Sequence, residues 1–69
     1  MNPYEYTFFL YSLSSGVGKL QLQDESADRA CLKAKGFAKQ QELTLLSDES
    51  GIIIERFNGK ESIRIYGRI

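Results

Sequence analysis

Residues 4–13 read Tyr4-Glu5-Tyr6-Thr7-Phe8-Phe9-Leu10-Tyr11-Ser12-Leu13, and the character of the whole chain follows from them. The run is rich in aromatics and contains neither Gly nor Pro, which predicts a long β-strand. Successive side chains in a strand point to opposite faces of the sheet. Tyr6, Phe8 and Leu10 therefore share one face, and Glu5, Thr7, Phe9, Tyr11 and Leu13 share the other. Both sets hold large apolar groups, so this strand asks for cover on both sides.

The chain then turns back. Ser14-Ser15-Gly16-Val17-Gly18 supplies two glycines for a turn. Lys19-Leu20-Gln21-Leu22-Gln23 alternates with period two and predicts the returning strand. A loop of three or five residues puts Leu20 and Leu22 on the face of Tyr6, Phe8 and Leu10. A loop of two or four exchanges the two aromatic sets. The first arrangement is preferred because it turns Glu5 and Thr7 outward, beside Lys19, Gln21 and Gln23.

Asp24-Glu25-Ser26 before an Ala-rich run is a helix-start signal, with Ser26 or Asp24 as N-cap. Ala27, Ala30, Cys31, Ala34, Phe37, Ala38 and Gln41 recur at helical spacing and define one face, read through Gly36 to about Gln41. Most of that face is small, so the helix should lie close to the sheet it covers. Leu43-Thr44-Leu45-Leu46-Ser47 reads as a short strand, and Asp48-Glu49-Ser50-Gly51 as an acidic turn.

Ile52 to Phe57 and Lys60 to Arg68 read as strands joined at Asn58-Gly59, a strong signal for a two-residue type I′ loop. That loop pairs Phe57 with Lys60, Arg56 with Glu61, Ile54 with Ile63 and Ile52 with Ile65. Ile52, Ile54, Ile63 and Ile65 then form a core face ending in an Arg56–Glu61 pair. Ile53, Glu55, Phe57, Lys60, Ser62, Arg64, Tyr66 and Arg68 take the other face. A slip of one residue would bury Glu55 and Arg64, so the register is strongly specified.

These elements give one α+β domain over residues 1–69: hairpin, helix, short strand and hairpin (ββαβββ), a mostly antiparallel sheet with one helix on one face. The order resembles β-grasp-like architectures in outline, and no motif residue accompanies the resemblance.

Composition narrows the function. The 69 residues hold nine Lys and Arg against nine Asp and Glu, one Cys and no His. So short a chain buries a small core and usually needs a disulfide, a metal or self-association to hold it. Cys31 alone makes no internal disulfide and no zinc site, so no metal or cofactor is expected, and self-association or a partner surface remains. The lone Cys fits a reducing compartment, and a cytoplasmic location is expected. Met1-Asn2-Pro3-Tyr4-Glu5 lacks the basic start of a signal peptide. No apolar run is long enough for a membrane span.

Three possible chemistries read more simply as structure. Gly16-Val17-Gly18-Lys19-Leu20 resembles the end of a phosphate-binding loop. However, Leu13 stands where that pattern needs Gly, Leu20 where it needs Ser or Thr, and a strand follows instead of a helix. Cys31 has no His to activate it and falls on the buried helix face, where a thiol behaves as a small hydrophobe. Asp24–Glu25 and Asp48–Glu49 sit in turns, with no dry pocket to raise a carboxyl pKa. The chain is expected to be non-enzymatic.

Two features point outward. The first is the aromatic outer face, with Phe9, Tyr11 and Phe57 as candidate partner contacts. The second is the stripe Lys60, Ser62, Arg64, Tyr66, Arg68, in which basic groups alternate with a polar or aromatic one. Residues 51–69 carry four basic and two acidic groups. The expected function is a small protein-binding module, an adaptor or inhibitor of a larger complex, acting through its open sheet face or edge strand. The alternatives are a weak single-stranded nucleic-acid binder using Lys60, Arg64, Tyr66 and Arg68 and a structural homodimer.

Overall fold

A computed structural model describes residues 3–69. Met1 and Asn2, with which the signal-peptide reading begins, lie outside the described residues. The chain forms β1 (Tyr4–Ser12), β2 (Gly16–Asp24), α1 (Ala27–Gln40), β3 (Thr44–Leu45), β4 (Ser47–Asp48), β5 (Gly51–Phe57) and β6 (Ser62–Gly67). This is the expected α+β domain. All five strand pairings are antiparallel.

β1 and β2 form a hairpin with a three-residue loop, since Ser12 pairs with Gly16. Gly16 takes φ +76°, a left-handed conformation that glycine adopts without Cβ strain and that such loops require. Tyr6 then faces Leu22, and Phe8 faces Leu20. This is the preferred arrangement of faces, with Glu5, Thr7, Phe9 and Tyr11 turned outward, and of its two loop lengths the shorter forms.

β1 also pairs with β5, setting Tyr6 opposite Arg56 and Phe8 opposite Ile54. Farther along, the two strands diverge and the segment after the helix fills the gap. The expected single strand over 43–47 is in fact two. β3 pairs with β1 through Leu45 and Leu10, and β4 pairs with β5 through Ser47 and Ile52. Leu46 joins both sides: its N–H donates to Phe9 O at 2.8 Å, and its carbonyl accepts from Ile53 N at 3.1 Å. One strand could not stay straight and serve two diverging neighbours.

The two-residue loop expected at Asn58-Gly59 does not form. Phe57 pairs with Ser62, Arg56 with Ile63, Ile54 with Ile65 and Ile52 with Gly67, a shift of two positions. A type I′ turn requires positive φ at both central residues, and only Gly59 has it, at +99°. Asn58 instead uses its side-chain carbonyl to accept from the N–H groups of Lys60 and Glu61, at 3.0 and 3.1 Å. Lys60 and Glu61 therefore belong to the loop, and the Arg56–Glu61 pair does not exist. A shift of two preserves parity, so the division of faces survives.

The helix lies on the face of Tyr6, Phe8, Ile52 and Ile54. Ser26, in extended conformation, caps it by accepting from Arg29 N at 3.4 Å. Ala30, Cys31, Ala34 and Ala38 are buried, and their small side chains let the backbone approach Phe8 and Ile54, both fully buried. Burying each of those two stabilises the fold by roughly 1.5–3 kcal/mol. Phe37, expected on the buried face, stands at its margin and is exposed.

The helix ends without glycine. Leu43 N donates to Ala38 O at 2.8 Å and Glu42 N to Lys39 O at 3.3 Å, the paired bonds of a Schellman motif. Glu42 occupies the left-handed position, with φ +56°.

Candidate interaction surface

Among the described residues, no element covers the sheet face opposite the helix. Its residues follow from the pairings. Phe9 sits beside Lys19 on β2. Ile53 faces Tyr66, Glu55 faces Arg64, and Phe57 faces both Glu5 and Ser62. Tyr11 faces Val17 on one side and Thr44 on the other. Tyr11, Phe57 and Tyr66 are 39, 42 and 43% exposed, while Phe9 and Ile53 between them are half-buried. Phe9, Ile53 and Tyr66 thus form an apolar row across the sheet, with Leu46 bonded between Phe9 and Ile53, and the adjacent row of Thr7, Glu55 and Arg64 separates it from Phe57. Acidic and basic groups are interspersed, so the face has no single sign of charge.

Five of the seven residues singled out in the sequence share this face: Phe9, Tyr11, Phe57, Arg64 and Tyr66. The other two do not join them. Lys60 is held in the β5–β6 loop by the Asn58 side chain. Arg68 follows the last residue of β6 and lines a cavity of about 340 Å³ on the helix side, with Asp28, Cys31, Leu32 and Lys35. The basic stripe of the sequence is therefore divided among a loop, a sheet face and a groove.

No family model, curated protein or solved structure matches the chain.

Three features of the helix side were not singled out in the sequence. Ile63, expected in the core, is 41% exposed, because the helix does not extend over that end of β6. Ile65, two positions on, packs against the core cluster instead. At the opposite edge, Asp24 is buried at the end of β2. Its Oδ1 accepts from Glu25 N at 2.7 Å and Ser26 N at 3.3 Å, and Lys33 Nζ lies 2.8 Å from Oδ2. The Lys33 contact above all, with the two backbone donors, holds this carboxyl below its ordinary pKa despite burial. Arg29 and Lys33, four apart on α1, converge on one acid at the strand end, and that spacing was the available signal. Finally, Arg56 lies over the Tyr4 ring at 4.8 Å, where cation and quadrupole attract. Burial raises the pKa of Tyr6 beside it, with the Arg56 charge opposing the shift.

Among the described residues, no helix is long and apolar enough to cross a membrane.

Proposed function

We propose that this protein is a small, non-catalytic binding module that engages a protein partner through the uncovered sheet face. The observation that carries this reading is the row Phe9, Leu46, Ile53, Tyr66, flanked by Tyr11 and, beyond Glu55 and Arg64, by Phe57, on a face that no element among the described residues packs against. Large aromatic side chains at a half-buried centre, inside a rim of mixed charge, are the usual energetic anchors of a protein interface. A nucleic-acid surface calls instead for concentrated positive charge. Here Lys60, Arg64 and Arg68 lie in three different settings.

The test is affinity purification from the native cell with wild-type protein and with Phe57→Ala and Tyr66→Ala. Thermal melting is measured in parallel. The reading expects both variants to melt near the wild-type temperature and to lose the proteins that wild type recovers. Unchanged recovery by both variants refutes it. So does unfolding of both, because those side chains would then be core.

A further inference from the structure

We infer that two copies of this chain pair edge to edge through β6, about a two-fold axis that passes beside Ile65 perpendicular to the sheet. The inference does not depend on the sheet-face reading, because such pairing leaves that face open.

β6 is the last strand of the sheet and has one neighbour, β5. Ile53 N donates away from β6, to Leu46 O, whereas Asn58 N donates toward the returning strand, to Glu61 O. Backbone groups alternate sides along a strand. Residues 52, 54 and 56 therefore turn their N–H and C=O toward β6, and their partners Gly67, Ile65 and Ile63 turn theirs toward β5. Ser62, Arg64 and Tyr66 are left with N–H and C=O on the free edge. Such unpaired groups are a template for another strand.

The edge groups restrict how two copies can meet. In an antiparallel ladder, opposed residues either both turn to the shared edge or both turn away. A symmetric pair must then be centred on a residue. Centring on Tyr66 leaves only residues 65–67 of β6 paired, since the strand ends at Gly67, and centring on Arg64 sets Arg64 against Arg64 of the second copy. Directly opposed like charges are destabilising. Centring on Ile65 instead puts Arg64 opposite Tyr66 twice, where guanidinium and ring attract.

The same register resolves two features of the helix side. It places Ile63 of one copy opposite Gly67 of the other. The Cys31 sulfur fills the space where a Gly67 side chain would stand, and the recess is the neighbouring cavity lined by Cys31, Leu32, Lys35 and Arg68. Ile63 is an exposed apolar group without cover, and Leu32 at the cavity wall is 68% exposed. Two such knobs and two such recesses meet about the axis. With equal numbers of acidic and basic residues in each chain, no net charge opposes association. On the helix side of the opposite edge, Leu20 and Leu22 of β2 pack against the core, and the exposed Val17 of that strand stands on the outer face opposite Tyr11.

The experiment uses the full chain. Sedimentation equilibrium of wild type at micromolar concentration is expected to give twice the chain mass. In a Cys31→Ala background, Ile65→Cys and Arg64→Cys are then oxidised side by side. Cys at 65 would face itself in a non-hydrogen-bonded pair, where Cα atoms lie about 4.5 Å apart, within the span of a disulfide. Cys at 64 would lie two positions off register, beyond the roughly 7 Å limit. Cross-linking of the Ile65→Cys chain should be at least about tenfold faster than that of Arg64→Cys, in keeping with that distance limit. A monomeric wild type overturns the proposal, as does equal or faster cross-linking through position 64. The mass of the unaltered chain decides the matter if a variant fails to fold.

Discussion

Lys33 reaches back from the second turn of α1 to Asp24 at the end of β2, with Nζ 2.8 Å from Oδ2. The carboxylate also accepts from the two backbone N–H groups that lead into the helix. One buried acid thus fixes both the strand end and the helix start. Its pKa is lowered in the folded chain, so its contribution to stability is complete above the ordinary value of 3.8 and is lost as pH falls through the lower folded value. Asp24→Asn should lower the melting temperature at neutral pH. The gap between variant and wild type should narrow on acidification below the ordinary carboxylate range. Melting curves across that range check the sign, and a gap that widens in acid would contradict it.

The sulfur of Cys31 occupies the space that a side chain on Gly67 would enter. Gly67→Ala should therefore destabilise the fold by about 1–3 kcal/mol, as overpacking does. The loss should shrink when Cys31→Ala is added. Chemical denaturation of both single variants and the double closes the cycle. Independent, additive losses would show that the two sites do not touch.

Two substitutions should strengthen the fold. Glu42 holds a left-handed conformation at the helix end, so Glu42→Gly should gain about 1 kcal/mol by removing Cβ strain. Gly36 lies inside the helix, with open space around the position of a Cβ. Gly36→Ala should add roughly 0.5–1 kcal/mol. Both gains are read as a raised denaturation midpoint, and a lowered midpoint in either case refutes the corresponding assignment.

Burial holds the Cys31 thiol above its ordinary pKa, partly opposed by Lys35. Since the thiolate is the reactive form, labelling of the native chain by a thiol reagent at neutral pH should be slow. Denaturant should accelerate it sharply. Native labelling as fast as that of a free thiol would place Cys31 at the surface.

How much of this was legible in the sequence varied with the physics behind each feature. Glu5 and Thr7 on an otherwise apolar strand sufficed to favour the observed faces of the first hairpin, because burying them would have been costly, but they did not choose between a three- and a five-residue loop. The last register slipped by two. The preference of Asn58-Gly59 for a tight turn was outcompeted by the Asn58 carbonyl, which caps two N–H groups of a longer loop. Parity is a property of alternation alone, and it placed Phe57, Arg64 and Tyr66 on the outer face correctly. Alternation does not say how far a helix reaches, so the exposure of Ile63 and Phe37 was hidden. The division of residues 43–47 into two strands was hidden for a related reason: nothing local to those residues reports that β1 and β5 diverge. Helical periodicity found the buried alanines and Cys31. It did not show that Arg29 and Lys33 meet at Asp24, which lies before the helix begins.

The pairing of β1 with β5 also bears on how quickly the native state can be reached. It joins Phe8 to Ile54, 46 positions apart, in a chain whose two hairpins are otherwise local. Each hairpin can close on the microsecond scale. The sheet exists only once the ends of the molecule find each other, and the entropy of closing that long loop is lost before Leu46 can bond both strands. Despite its small size, the domain should fold at the pace of a protein dominated by non-local contacts, in milliseconds or longer. The two hairpins and the helix would form and dissolve many times before the central pair joins them.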